Sequence, residues 1–177
     1  MTEYVGGIRE RDIQESFVDM IEECLLALGW VFDSVTPKRD PITIRREPVP
    51  DNEEITRNTI AMWWGDVTHD PTEVGSDETV ETYPVTVDVY AQDDSLGRQL
   101  SGDIRAILLG QFPSIGRIRP NFDVYNTTAA TPTLQFTCSF EGIERDRVPS
   151  SSSSPFRRNW YAINLHIVDD EYKTELT

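Results

Sequence analysis

Between residues 10 and 30, in ERDIQESFVDMIEECLLALGW, apolar side chains recur at Ile13, Phe17, Met20, Ile21, Cys24, Leu25 and Leu28. Spacings of three and four draw one stripe on a 3.6-residue period, which predicts an amphipathic helix. Glu10, Arg11, Gln14, Glu15, Asp19, Glu22 and Glu23 fill the opposite face. Asp12 with Glu15 offers a capping box for its start, the alternative being a start nearer Ile8. Gly29 stands where a left-handed C-terminal cap is usual. Cys24 falls on the stripe, where a small apolar role is expected of it.

After Gly29 the period changes to two. WVFDSV and PITIRRE read as short strands separated by a turn from Pro37 to Pro41. PVPDNEE is a polar loop, and RNTIAMWWGDVTH returns to alternation at Ile60, Met62 and Trp64. Residues 66–79 are acidic and turn-rich, and they are expected as an exposed, mobile excursion. In TYPVTVDVYA, Val85, Val87 and Val89 face one way and Thr86, Asp88 and Tyr90 the other. One apolar and one wet face suit an antiparallel sheet better than a parallel one buried on both sides.

The next stretch, QDDSLGRQLSGDIRAILLG, places Leu96, Leu100, Ile104, Ile107 and Leu108 on helical spacing and ends at Gly110. Asp93 and Asp94 open it. Two adjacent carboxylates raise the question of a metal or acid/base pair, but such a pair needs a third polar partner or a histidine, and none is near in sequence. Capping the orphan amides of the first helical turn accounts for them instead.

Strand patterns close the chain in RIRPNFDVY, in TLQFTCSFEGIERD with Leu134, Phe136, Cys138 and Phe140 alternating, and in NWYAINLHIVDD with Tyr161, Ile163, Leu165 and Ile167 alternating. The serine-rich residues 146–158 between the last two look too polar to pack and are expected as a mobile hairpin tip. Helix, about four strands, helix and about three strands together predict an α+β fold. It forms one domain over residues 1–177, with two helices on one face of an antiparallel or mixed sheet and long polar loops.

Composition narrows the chemistry. With 31 acidic against 16 basic residues in 177, the net charge is −15, which gives no attraction for the nucleic-acid backbone or an anionic membrane. No apolar run approaches the roughly 18 residues of a membrane span, and no basic region followed by an apolar one marks a leader. Cys24 and Cys138 are therefore expected as reduced thiols in a protein made in a cytoplasm. DPTEVGSDETVE places Asp70, Gly75 and Glu81 at positions one, six and twelve of a calcium-loop pattern, but Thr72 and Val74 occupy two ligand positions. His69 and His166 form no metalloprotease motif, two cysteines form no zinc quartet, and no phosphate-binding glycine loop or nucleophile elbow occurs. No catalytic, metal or cofactor residue is expected. A metal-dependent hydrolase using Asp66, His69 and Asp70 is the enzymatic alternative.

Trp63 and Trp64 are adjacent on one strand, so they point to opposite faces. One belongs to the core, and the other lies under a loop or at a protein interface. Trp160, beside Arg157 and Arg158, adds an arginine-plus-aromatic cluster to an acidic chain, a composition enriched where proteins meet. Trp63, Trp64, Arg157, Arg158 and Trp160 are the candidate contact residues, with packing inside the chain as a second reading and nucleic-acid binding, against which the overall charge weighs, as a third.

The amphipathic helix ending in Gly-Trp, the strand and turn TVDVYAQDDS, the helix LGRQLSGDIRAILLG and the closing strand NWYAINLHIV together resemble the tail terminator proteins of long-tailed bacteriophages. Tail-completion and head–tail joining proteins share this layout. The resemblance implies a non-enzymatic virion protein at the head–tail junction, made in the host cytoplasm. It would form a ring, usually a hexamer, that caps the tail tube, ends its polymerisation and joins the tail to the head. Its partners would be further copies of itself, the tail tube protein and a neck connector protein, with DNA crossing the lumen unread. Acid facing that lumen would repel DNA over roughly 8 Å at physiological salt. A head-side neck connector is the alternative within this layout.

Overall fold

The computed structural model describes residues 6–32, 41–71 and 79–169. Helix α1 spans Gly6–Ala27 and is followed by strands β1 (Thr43–Arg45), β2 (Thr59–Trp64), β3 (Thr68–Pro71) and β4 (Thr79–Tyr90). Helix α2 covers Asp94–Leu108, and a 3-10 turn at Pro113–Ile115 leads to β5 (Asn121–Tyr125) and β6 (Leu134–Arg147). A one-turn helix α3 (Pro155–Arg158) precedes the last strand, β7 (Trp160–Asp169). The protein has an α+β fold built on one seven-stranded sheet in the order β1-β2-β4-β7-β6-β5, with β3 also paired to β4. All pairings are antiparallel except β1 with β2.

Alternation decides which side is buried. Ile60 and Met62, Val85, Val87 and Val89, Phe136, Cys138 and Phe140, and Ile163, Leu165 and Ile167 all join one core with the apolar stripe of α1 and with Leu100, Ile104, Ile107 and Leu108 of α2. Phe17 stands at its centre, with edge-to-face contacts to Trp64, Phe122 and Phe140 at 5.7, 5.8 and 5.7 Å between centroids. Cys24 and Cys138 are both buried here, and burial pushes the Cys24 thiol above its usual range.

Several expectations need correction. Asp12 does not cap α1, which is already helical at Gly6. It is fully buried in the second and third turns, where its carboxylate accepts from the Thr127 hydroxyl at 2.7 Å and the Thr127 amide at 3.2 Å. Ser16, one turn on, accepts from the Tyr125 amide at 3.0 Å, so two polar residues beside the apolar stripe fasten α1 to the end of β5. The excursion 66–79 is part strand, because β3 pairs with the start of β4. Residues 72–78, with most of the calcium-like pattern, lie outside the described residues, as do the turn 37–40 and residues 33–35 of the first strand candidate.

β2 and β3 line the same side of β4 in succession, separated at Gly65, whose amide donates to the Pro84 carbonyl at 2.8 Å. The carbonyl and the missing N–H of a strand residue point to the same side, so Pro84 turns its lost donor toward this gap. A proline is therefore accommodated in a central strand without losing a bond to β7.

Candidate interaction face

The second face of the sheet carries Ala61 and Trp63 from β2, Thr86, Asp88 and Tyr90 from β4, and Trp160, Ala162, Asn164 and His166 from β7. One half is covered. Val49 and Ile55, isolated apolar residues of the polar connection between β1 and β2, close over Ala61 and Tyr90, and Phe156 of α3 and Trp160 pack against them. Arg157 holds this cover in place by donating to the carbonyls of Pro50 and Glu53 at 2.5 and 2.8 Å. The serine-rich segment 146–158 is therefore docked rather than projecting. Asp146 and Arg147 extend β6, and α3 brings an aromatic and an arginine back onto the sheet.

Asp88 organises the boundary between the covered and open halves. In register it lies between Ala61 and Ala162, whose small side chains leave room above the carboxylate. The indoles of Trp63 and Trp160, two residues along their strands, reach in diagonally. Trp160 Nε1 donates to Oδ1 at 2.8 Å and Trp63 Nε1 to Oδ2 at 3.0 Å. Asp88 is only 4% exposed, and burial raises its carboxyl above the ordinary 3.8, with the two indole bonds pulling it back. Tyr90 stacks on Trp160 at 5.3 Å and 28°. Burial first, and the Asp88 charge next, raise its hydroxyl further from ionisation.

Of the candidate contact residues, Trp63 is the exposed member of its pair, at 41%, and its ring is fixed rather than free because Asp88 holds the N–H. Thr86, Asn164 and His166 continue the open surface beside it. Trp64 turns to the other face and lies half-buried against Phe17. Trp160 and Arg157 are used within the chain, and Arg158 stays exposed at the end of α3. The fold thus gathers Trp63 and Trp160 around Asp88, holds Arg157 on the adjoining cover through Pro50 and Glu53, and leaves Trp64 apart. Asp88 itself was legible only as one more polar position of TVDVY. A lone carboxylate among valines, with tryptophans in two other strands, is the signal it left.

Asp93 and Asp94 divide their work. Asp93 is the N-cap of α2, accepting from the Leu96 amide at 2.8 Å. Asp94 accepts from the Tyr161 hydroxyl at 2.7 Å and pairs with Arg98 at 2.7 Å, and these contacts lower its carboxyl below the usual range. Asp93→Asn is expected to leave the unfolding free energy nearly unchanged and Asp93→Ala to remove about 1 kcal/mol, read from denaturant unfolding. Equal losses in the two would show that the charge, not the cap, matters.

Asp66, His69 and Asp70 are not brought together. His69 and Asp70 point to opposite sides of β3, and His69 Nδ1 lies 3.5 Å from Glu81 across the ladder. Among the described residues no group of three His, Cys, Asp or Glu side chains is placed to hold a metal. Among the described residues no helix is long and apolar enough to cross a membrane. Compared with known proteins, the chain matches no protein-family model and no curated sequence.

Proposed function

We propose that the chain is a structural virion protein of the phage neck, which forms a ring on the tail tube, ends its polymerisation and joins tail to head. The observation that carries a contact role is Trp63: a large aromatic ring, 41% exposed and held by the buried Asp88 on an open strand face. An ordered indole loses little conformational freedom on binding, which suits it to anchor a protein partner. The neck assignment rests on the resemblance in element order, with the valine strand β4 leading through Asp93 into α2 and β7 closing the sheet. The strong acidity of the chain accords with a lumen that DNA crosses without adhering.

The reading is tested by co-sedimentation with purified tail tubes and, separately, with filled heads. The parent is expected to pellet with tubes, and Trp63→Ala to bind at least about 30-fold more weakly, as loss of a 2 kcal/mol anchor requires. Binding to heads but not to tubes would replace the tail terminator with a head-side connector. Binding to neither would remove the neck reading.

A further inference from the structure

The cover over the second face is a small structure of its own. Its apolar cluster of Val49, Ile55, Ala61 and Tyr90, with Phe156 and Trp160 against it, is separate from the main core around Phe17. The contacts that pin it are polar and lie at the rim. Arg157 donates to the carbonyls of Pro50 and Glu53, and Arg45 of β1 pairs with the carboxylates of Glu47 and Glu53. Ion pairs at an exposed rim contribute at most about 1 kcal/mol each. A satellite cluster held in this way opens at a lower free energy than the sheet beneath it, so docked and lifted are two states of one element.

From this cover a line of contacts runs to Trp63. The Arg157 guanidinium lies 6.0 Å from the ring centroid of Tyr90. Tyr90 stacks on Trp160 at 5.3 Å, and Trp160 donates its indole N–H to Oδ1 of Asp88 at 2.8 Å. The other oxygen, Oδ2, accepts from Trp63 at 3.0 Å. Both oxygens belong to one planar group, so a rotation that follows one indole turns the second oxygen away from the other. Asp88 is only 4% exposed, which leaves little water to replace a lost bond. Trp63 stands outside the cluster beneath the cover. The carboxylate is the joint through which the cover reaches it.

We propose that the cover controls the contact surface: docked, it holds Trp63 in its binding orientation through Trp160 and Asp88, and lifted, it releases the ring. Arg157 is then a positioning residue for an indole on the far side of Asp88. Such coupling is reciprocal, so a partner seated on Trp63 also holds the cover down. The inference rests on the reading of Trp63 as the contact residue and adds how that residue is regulated.

The test follows the indole N–H signals of the full-length protein by NMR. Four tryptophans give four signals, and the one lost in Trp63→Phe belongs to Trp63. Arg157→Ala should speed exchange of the Trp63 N–H with water by at least about fivefold, the low end of ordinary coupling between sites. The signals of Trp30 and Trp64, which belong with the main core, should stay in place and show that the fold is intact. In an Asp88→Asn background one oxygen cannot serve two indoles, and Arg157→Ala should then leave Trp63 exchange unchanged. If Arg157→Ala disturbs the core signals, Phe156→Ala takes its place, because it loosens the cover without removing either pin. Trp63 exchange indifferent to a loosened cover, or an equal rise in the Asp88→Asn background, would overturn the proposal. Coupling in the spectra of a protein that does not bind tail tubes leaves the device standing and removes the neck reading. Binding to tubes, with Trp63 exchange indifferent to the cover, does the reverse.

Discussion

Replacing Gly110 with alanine is expected to cost about 3 kcal/mol or more of stability, against about 1 kcal/mol for Gly29→Ala, although both glycines close helices in the left-handed region. Gly29, at φ +88°, has nothing within 4 Å of where a Cβ would lie, so alanine there meets only backbone strain. Gly110, at φ +69°, would place a Cβ 2.4 Å from the nitrogen and 2.5 Å from the carbonyl carbon of Arg119. Those are main-chain atoms and cannot swing aside. The 112–117 turn, closed by two amide–carbonyl bonds between Phe112 and Arg117, lays Arg119 across the end of α2 and so sets where β5 begins. Alanine must push this segment away, and with it Phe122 and Val124, which belong to the core around Phe17. Urea unfolding of the two variants measures the difference. Equal losses would mean that the turn yields easily and does not position β5.

Replacing Asp88 with alanine is expected to lower stability at neutral pH by about 2–3 kcal/mol, because it removes the acceptor for two indole N–H groups, one of them under the covered half of the face. Asp88→Asn keeps one acceptor oxygen and is expected to lose about 1 kcal/mol. The pH dependence separates charge from hydrogen bonding. Burial raises the folded-state value of Asp88 above the ordinary 3.8, so the fold favours the neutral acid. The stability this contributes is full below the unfolded value, is lost as pH rises through the folded one, and is constant beyond it. The gap between parent and Asp88→Asn should therefore be widest at acid pH and narrow as pH rises. A gap independent of pH would show that Asp88 titrates as an ordinary surface carboxylate. Either substitution should also loosen the Trp63 ring, visible as a change in tryptophan emission.

Local periodicity carried much of this architecture. The stripe of α1, the valine alternation of β4 and the Asp93 cap of α2 each depend on residues a few positions apart, which a sequence displays directly. What it concealed depends on residues far apart. The cover over the second face is held by Arg157 on the carbonyls of Pro50 and Glu53, about a hundred residues away, so two polar segments read as free when each supplies apolar residues to the other. Asp12 looked like a capping residue because its partner, Thr127, lies in a later loop, and the tie of Ser16 to Tyr125 in a later strand left no local signal. The parallel pairing of β1 with β2 left no local trace in three residues. Within the candidate face, the opposed directions of Trp63 and Trp64 followed from strand geometry alone. The grouping around Asp88 required the register of three strands.

The most direct test of the neck assignment is electron microscopy of tail tubes polymerised with and without the purified protein. With it, tubes are expected to stop at a defined length with ring-shaped density across one end. Tubes that grow without limit in its presence and show bare ends, while the protein remains folded in solution, would contradict the assignment.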